Sequence, residues 1–165
     1  MVWGCALETE RIAELIERVV EGDPWHGPSV AVLLRDVTAA NAARPGPGGA
    51  HSIWELVLHM TGWAREVTAR LGGRAAQDPE EGDWPSIGEP TPVRWDTAKA
   101  KLFDAHRELA QAVRRFDESR LPAPVSDFRD NALGTGLSHY LTLHDLVQHT
   151  VYHAGQIAVV KRALG

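Results

Sequence analysis

The fold class follows from HYLTLHDLVQHTVYHAGQIAVVKRAL, which occupies residues 139–164. Its apolar side chains recur every three or four positions, which is the spacing of one face of an α-helix. The residues on this side of the helix are Leu143, Leu146, Val147, Thr150, Ile157 and Val160. The pattern predicts an amphipathic helix from about His139 to Leu164.

Three other segments carry the same period, at residues 7–20, 52–71 and about 92–119. The second begins with Ser52 and has Glu55 three positions later, the pattern of a capping box, and Gly72-Gly73 ends it. A shorter apolar piece, residues 28–37, could form an extra helix. No run alternates with period two, so no strands are expected and the sequence predicts an all-α fold.

Long connections rich in Pro and Gly separate these helices, at residues 21–51, 72–91 and 121–137. Up-down bundles favour short loops, so connections of this length indicate crossovers between non-adjacent helices. The acidic residues of the second connection are expected to be solvated. A length of 165 residues predicts a single domain covering residues 1–165.

Composition excludes several classes of function. The net charge is −5 and no basic stripe is present, which argues against nucleic-acid binding. No apolar run is long enough to span a bilayer, and the first residues lack a secretory signal. The lone Cys5 cannot form an internal disulfide, so a reducing, cytoplasmic location is expected. The six tryptophans are expected to anchor the core and the loops.

The informative residues are three of the eight histidines. His149 and His153 stand four positions apart on the last helix, so both imidazoles project from one face and can converge on one ion. Such pairs also occur as structural histidines satisfied by hydrogen bonds. His59 lies among apolar residues in the middle of the 52–71 helix and should point inward too. Together they could form a three-nitrogen site with an open position, as in catalytic zinc centres.

The chain resembles the DinB/YfiT-like metalloenzyme family, the DNA-damage-inducible type of four-helix protein. The resemblance covers nearly the whole chain and is carried by HSIWELVLH at residues 51–59, HTVYHAGQI at 149–157, WHGP at 25–28, DWP at 83–85 and KRA at 161–163. It implies an up-down-down-up four-helix bundle, often a homodimer, in which His59, His149 and His153 bind a divalent metal. No metal position departs from the family pattern.

Five further residues are candidates for the surroundings of the metal. Asp145 and Glu55 each precede a histidine by one turn and could orient its imidazole, or form surface pairs. Gln156 could line the pocket or pack between helices. His26 and His51 stand at loop–helix junctions near the expected open end, where they could contact substrate, cap a helix or pack in a loop. The remaining histidines, His106, His139 and His144, are assigned mainly to surface or interhelix positions.

The resemblance favours a thiol-dependent S-transferase or isomerase that acts on a small electrophile through a metal-bound thiolate. The thiol would be mycothiol or bacillithiol, the metal zinc or nickel, and the partner a small-molecule substrate. No residue of the chain stands in a nucleophile motif. The alternatives are a metal-dependent hydrolase that uses bound hydroxide, with Glu55 or Asp145 as base, and a non-catalytic metal-binding stress protein.

Overall fold

The computed structural model describes residues 7–126 and 130–165, so Cys5 lies outside the described residues, as does Trp3. In these residues the secondary structure is helical, which confirms the all-α prediction. The α-helices are α1 (Glu8–Val20), α2 (Val30–Leu34), α3 (Ala39–Ala42), α4 (Ile53–Leu71), α5 (Pro92–Arg115) and α6 (His139–Leu164). Single 3₁₀ turns occupy Pro47–Gly49 and Glu118–Arg120.

The capping signals place α4 as predicted. The Ser52 side chain accepts a hydrogen bond from the Glu55 backbone N–H, and the Glu55 carboxylate accepts one from the Ser52 backbone N–H at 2.7 Å. At the other end Gly73 adopts a φ of +93°, a conformation that glycine takes at no steric cost. The start and the end of α4 are therefore fixed by local sequence.

The prediction that the third long helix reaches residue 119 is wrong. Helix α5 ends at Arg115 because Phe116 takes an extended conformation, with ψ at 137°. Asp117 then accepts a hydrogen bond from the Ser119 backbone N–H and begins the 3₁₀ turn. Phe116 remains buried, so its apolar character reflects burial rather than helix.

The four long helices form a ring in which α1 packs against α5 and α6, and α4 packs against the same two helices. Arg114 near the end of α5 pairs with Glu10 near the start of α1. Arg107, two turns earlier on α5, pairs with Glu21 just after α1. Helices α1 and α5 therefore run in opposite directions.

Two other contacts give the remaining directions. Trp54 of α4 and Trp95 of α5 meet near the starts of their helices, with ring centroids 5.1 Å apart, so α4 and α5 run in the same direction. His144 near the start of α6 lies 3.9 Å from Glu8 at the start of α1, so those two helices also run together. Helices α1 and α6 therefore share one direction and α4 and α5 the other, whereas the full up-down-down-up topology stays a prediction.

The core has two parts; His149 and His153 of α6 lie between them, and His59 of α4 lies next to Met60 of the first part. One part joins α2 and α3 to the starts of α4 and α5 and to the end of α6, and the other joins α1 to the opposite halves of the long helices. On α4, Met60 belongs to the first part and Ala64 to the second. On α6, Ala154 belongs to the first part and Leu146 to the second. The middle of α4 and of α6 is therefore where a polar layer interrupts the apolar core.

Two tryptophans anchor the core, since Trp54 and Trp95 are buried. Trp25 is 98% exposed, so the prediction that every tryptophan anchors the core or a loop is wrong for this residue. In the part of the chain that the structure describes, no helix is long and apolar enough to cross a membrane.

Candidate metal centre

Three imidazoles from two helices meet in the polar layer between α4 and α6. His59 Nε2 lies 2.9 Å from His149 Nε2, and His153 Nε2 lies 3.0 Å from the same atom. All three ligand atoms lie within 4.8 Å of one another. His59 and His153 are buried and His149 is half-buried. Helical spacing on α6 therefore aligns two nitrogens, and the antiparallel neighbour α4 supplies the third.

The connection between α4 and α5 fixes the ring of His59. Its Nδ1 donates a hydrogen bond to the Asp83 carbonyl oxygen at 2.8 Å and lies 3.1 Å from Asp83 Oδ1. Asp83 Oδ1 also accepts a hydrogen bond from Trp63 Nε1 at 2.7 Å, which holds the carboxylate in place. Because a carbonyl oxygen can only accept, the proton of His59 is on Nδ1 and the lone pair on Nε2 faces the other histidines.

Helix α6 orients His153 in the same way. Its Nδ1 donates to Gln156 Oε1 at 2.6 Å, so its Nε2 also presents a lone pair to the centre. Backbone carbonyls and amide oxygens commonly hold metal-binding imidazoles by this outer nitrogen. Two of the three histidines thus have the tautomer that metal binding needs.

An aromatic stack closes one side of the centre. The Trp84 indole lies flat on the His59 ring, with centroids 3.9 Å apart and an angle of 4° between the planes. On its other face Trp84 stacks on His51, at 3.5 Å and 2°. The stack limits rotation of the His59 ring and covers one of its faces.

Burial keeps the three imidazoles neutral. It lowers the pKa of His59 and of His153, and it lowers the pKa of His149 to about 3 with a smaller contribution from repulsion by His153. Neutral imidazole is the form that binds metal ions, so no proton has to be displaced near neutral pH.

These residues fit a divalent cation. Zinc–nitrogen bonds are about 2.0–2.1 Å long, so two nitrogens on one ion are at most about 4.2 Å apart. The two short Nε2–Nε2 distances, 2.9 and 3.0 Å, meet that limit. The lone pairs on Nε2 of His59 and His153 face the centre, so a cation bound there would take the place of the proton that His149 otherwise supplies between them.

A cavity of about 350 Å³ adjoins the centre, with His59 and His149 in its wall. Asp145 and Arg70 add charged groups to the lining of this cavity. Much of the rest is apolar and includes Trp63, Val67, Leu137 and Leu146. A second cavity, of about 670 Å³, lies against Gln156 and His51. The centre is therefore accessible to a small molecule rather than sealed in the core.

Three of the other predicted site residues lie at the centre or its cavities, and two, Glu55 and His26, do not. Gln156 and Asp145 lie at the site, since Gln156 holds His153 and Asp145 lines the smaller cavity beside His149. His51 lines the larger cavity and stacks on Trp84. The Glu55 carboxylate accepts hydrogen bonds from Ser52 and lies 3.8 Å from His51, so it caps α4. His26 is exposed in the turn before α2.

Asp83 is the residue whose role the sequence analysis missed. It belongs to an acidic connection that was expected to be solvated, yet both its backbone and its carboxylate contact His59. The DWP string at residues 83–85 was a signal, because it resembled the family without any assigned role.

The fold and the three convergent imidazoles define an all-α protein with a histidine cluster that could hold a metal ion. A family model described as the DinB superfamily matches residues 28–157, which is most of the chain. The chain therefore belongs to the DinB superfamily. Comparison with curated proteins and with solved structures gave no significant match.

Proposed function

We propose that the chain holds one divalent cation through His59, His149 and His153, and that it is a thiol-dependent S-transferase or isomerase. The observation that carries the metal site is the meeting of three Nε2 atoms, with separations of 2.9 and 3.0 Å. The thiol-dependent reaction is taken from the family resemblance. The substrate would be a small electrophile and the thiol mycothiol or bacillithiol.

The residues of the chain prepare the site in three ways. Asp83 and Gln156 hold two imidazoles by Nδ1, so that their Nε2 atoms face the centre. All three imidazoles are neutral donors and leave the full charge of the ion available to a fourth ligand. A divalent ion bound there lowers the pKa of a thiol or of water.

The cavity beside His59 and His149 supports a small-molecule substrate. Its volume of about 350 Å³ lies in the range of ordinary ligand sites, roughly 300–1,000 Å³. Its apolar lining favours an apolar substrate body and limits water at the reacting atoms. Trp63 and Leu146 in that lining would position the substrate next to the histidines.

A metal-dependent hydrolase is the second candidate, and Asp145 is the observation in its favour. The carboxylate is exposed and lines the cavity that also contains His149. A carboxylate in this place could accept a proton from water. Glu55 is the weaker candidate for the base because its oxygens are engaged by Ser52.

The test is turnover of a chloro-dinitroaromatic electrophile by zinc- or nickel-loaded protein with mycothiol or bacillithiol. We expect conjugate formation that requires both the thiol and the metal. The control is the double variant His149→Ala with His153→Ala, which should be inactive. Metal-dependent ester hydrolysis without any thiol would favour the hydrolase. Metal binding without either activity would favour the non-catalytic stress protein. The homodimer, the cytoplasmic location and the choice of metal stay predictions.

A further inference from the structure

A fourth histidine, His106 of α5, is buried inside the bundle and takes no part in the proposed centre. It is 3% exposed, and its Nδ1 donates a hydrogen bond to the Leu102 carbonyl oxygen at 2.9 Å. The proton is therefore on Nδ1 and a lone pair is on Nε2. Among the residues that the structure describes, this buried Nε2 has no hydrogen-bond partner. Such an atom is costly to bury, which calls for a donor.

His106 faces the part of α6 that carries His149 across a small internal void. It lines this void together with Leu146 and Thr150, which flank His149 in sequence. A buried acceptor of α5 therefore lies beside the metal-binding segment of α6.

His149 also has a ring nitrogen without a hydrogen-bond partner in residues 7–126 and 130–165, its Nδ1, which is the nitrogen that does not face the centre. Within the described part of the chain its buried Nδ1 has no partner, whereas the Nδ1 atoms of His59 and His153 are held by Asp83 and Gln156. Without a cation, His149 is expected to carry its proton on Nε2, because the two neighbouring Nε2 atoms present lone pairs at 2.9 and 3.0 Å.

A cation at the centre changes which ring nitrogen of His149 must carry the proton. Its ligand His149 must then leave Nε2 free and carry the proton on Nδ1, which needs a buried acceptor. In the ion-free state Nδ1 of His149 and Nε2 of His106 both carry lone pairs and cannot bond to each other. Binding of the cation makes Nδ1 of His149 a donor and leaves Nε2 of His106 as an acceptor.

We propose that His106 is a positioning residue that accepts a hydrogen bond from Nδ1 of His149 when a cation is bound. The inference rests on the metal-binding part of the proposed function. It gives each metal-binding histidine an acceptor of its own: Asp83 for His59, Gln156 for His153 and His106 for His149. Loss of such a partner commonly weakens metal binding by about 10- to 100-fold.

The first measurement is zinc affinity, by competition with a chromophoric chelator. We expect His106→Leu to bind zinc about 10- to 100-fold more weakly than the wild type. His106→Gln, which retains an acceptor oxygen, should recover most of the affinity. The control is His139→Leu, which removes another buried histidine, one that packs on Phe116 near the start of α6, and should leave the affinity unchanged. Wild-type affinity in folded His106→Leu would overturn the proposal.

The second measurement is the tautomer of each histidine in the wild-type chain, from long-range ¹⁵N–¹H NMR correlations. On addition of zinc, the proton of His149 should move from Nε2 to Nδ1, while His106 keeps its proton on Nδ1 and its Nε2 resonance shifts. A zinc-loaded protein with the His106 proton on Nε2 would refute the proposal even if the Leu variant does not fold. If the wild type binds no zinc, the proposed function itself fails, which the affinity measurement reveals independently.

Discussion

Helix α4 carries two buried polar clusters that differ in how their charges are balanced. The first contains His59, and the second contains Glu66, seven positions later and about two helical turns away. Both Glu66 and Arg70 of the second cluster are buried. Comparison of these two clusters separates a structural use of buried polar groups from a ligand-binding use.

The Glu66 cluster satisfies its own groups. The Glu66 carboxylate accepts hydrogen bonds from Arg70 Nε at 3.1 Å and from the Gln77 backbone N–H at 3.0 Å, and it also pairs with Arg74. Arg70 donates in addition to the Leu133 carbonyl oxygen at 2.6 Å. Donors and acceptors of opposite charge are matched, so the cluster ties α4 to two connections and needs no ligand.

The histidine cluster is incomplete without a positive charge. Its three Nε2 atoms are mutual neighbours, and Asp83 and Gln156 assign acceptor character to two of them. The protein thus supplies bases to the centre and no cation. A buried cluster with matched partners therefore stabilises the fold, whereas a cluster of convergent acceptors indicates a site for a cation.

The largest effect is expected on metal content, when two of the three imidazoles are removed. The double variant His149→Ala with His153→Ala is expected to reduce bound zinc from about one ion per chain to none, because one imidazole cannot hold the ion. The measurement is metal content by mass spectrometry after gel filtration. His144→Ala, a change on the same helix outside the cluster, should retain the metal. Unchanged metal content in the double variant would contradict the assignment.

The matching change in the second cluster is Glu66→Gln. It leaves the Arg70 charge buried with weaker partners, so we expect the free energy of unfolding to fall by about 3 kcal/mol, with zinc affinity retained. Urea denaturation at neutral pH measures the loss. Glu14→Gln, which alters an exposed pair on α1, should change stability by less than about 0.5 kcal/mol. A destabilisation as small as that of the control would mean that the buried pair is not needed.

The smallest effect of a single substitution is expected in the pH dependence of stability of the ion-free protein. Burial lowers the pKa of His59, His106 and His153, and that of His149 to about 3, so below about pH 6.5 the unfolded chain binds more protons than the folded one. Stability should therefore be complete above that pH and fall as the pH decreases. Each histidine contributes at most about 1.4 kcal/mol per pH unit.

Urea titrations between pH 7 and 5 measure this slope. His149→Gln should show a shallower slope than the wild type, since it removes the histidine whose pKa is lowered to about 3. An equal slope in the two proteins would indicate that His149 does not contribute.

The sequence predicted the helices well where local chemistry fixes their ends. Ser52, Glu55 and Gly73 set the bounds of α4 through hydrogen bonds and a φ angle that depend only on near neighbours. The end of α5 was missed because the apolar stripe continues through Phe116, which is buried in an extended conformation. The short helix α3 was missed because it has only four residues.

The spacing of His149 and His153 along the chain is enough to put them on one helix face, because helical periodicity is a local property. The sequence also indicated an inward His59, through the apolar residues around it. The packing of the helices brings these nitrogens to about 3 Å from one another, Asp83 onto His59 from 24 positions away, and His106 to a void shared with Leu146 and Thr150. These contacts join elements distant in the chain, and their geometry depends on how the helices pack rather than on any local pattern.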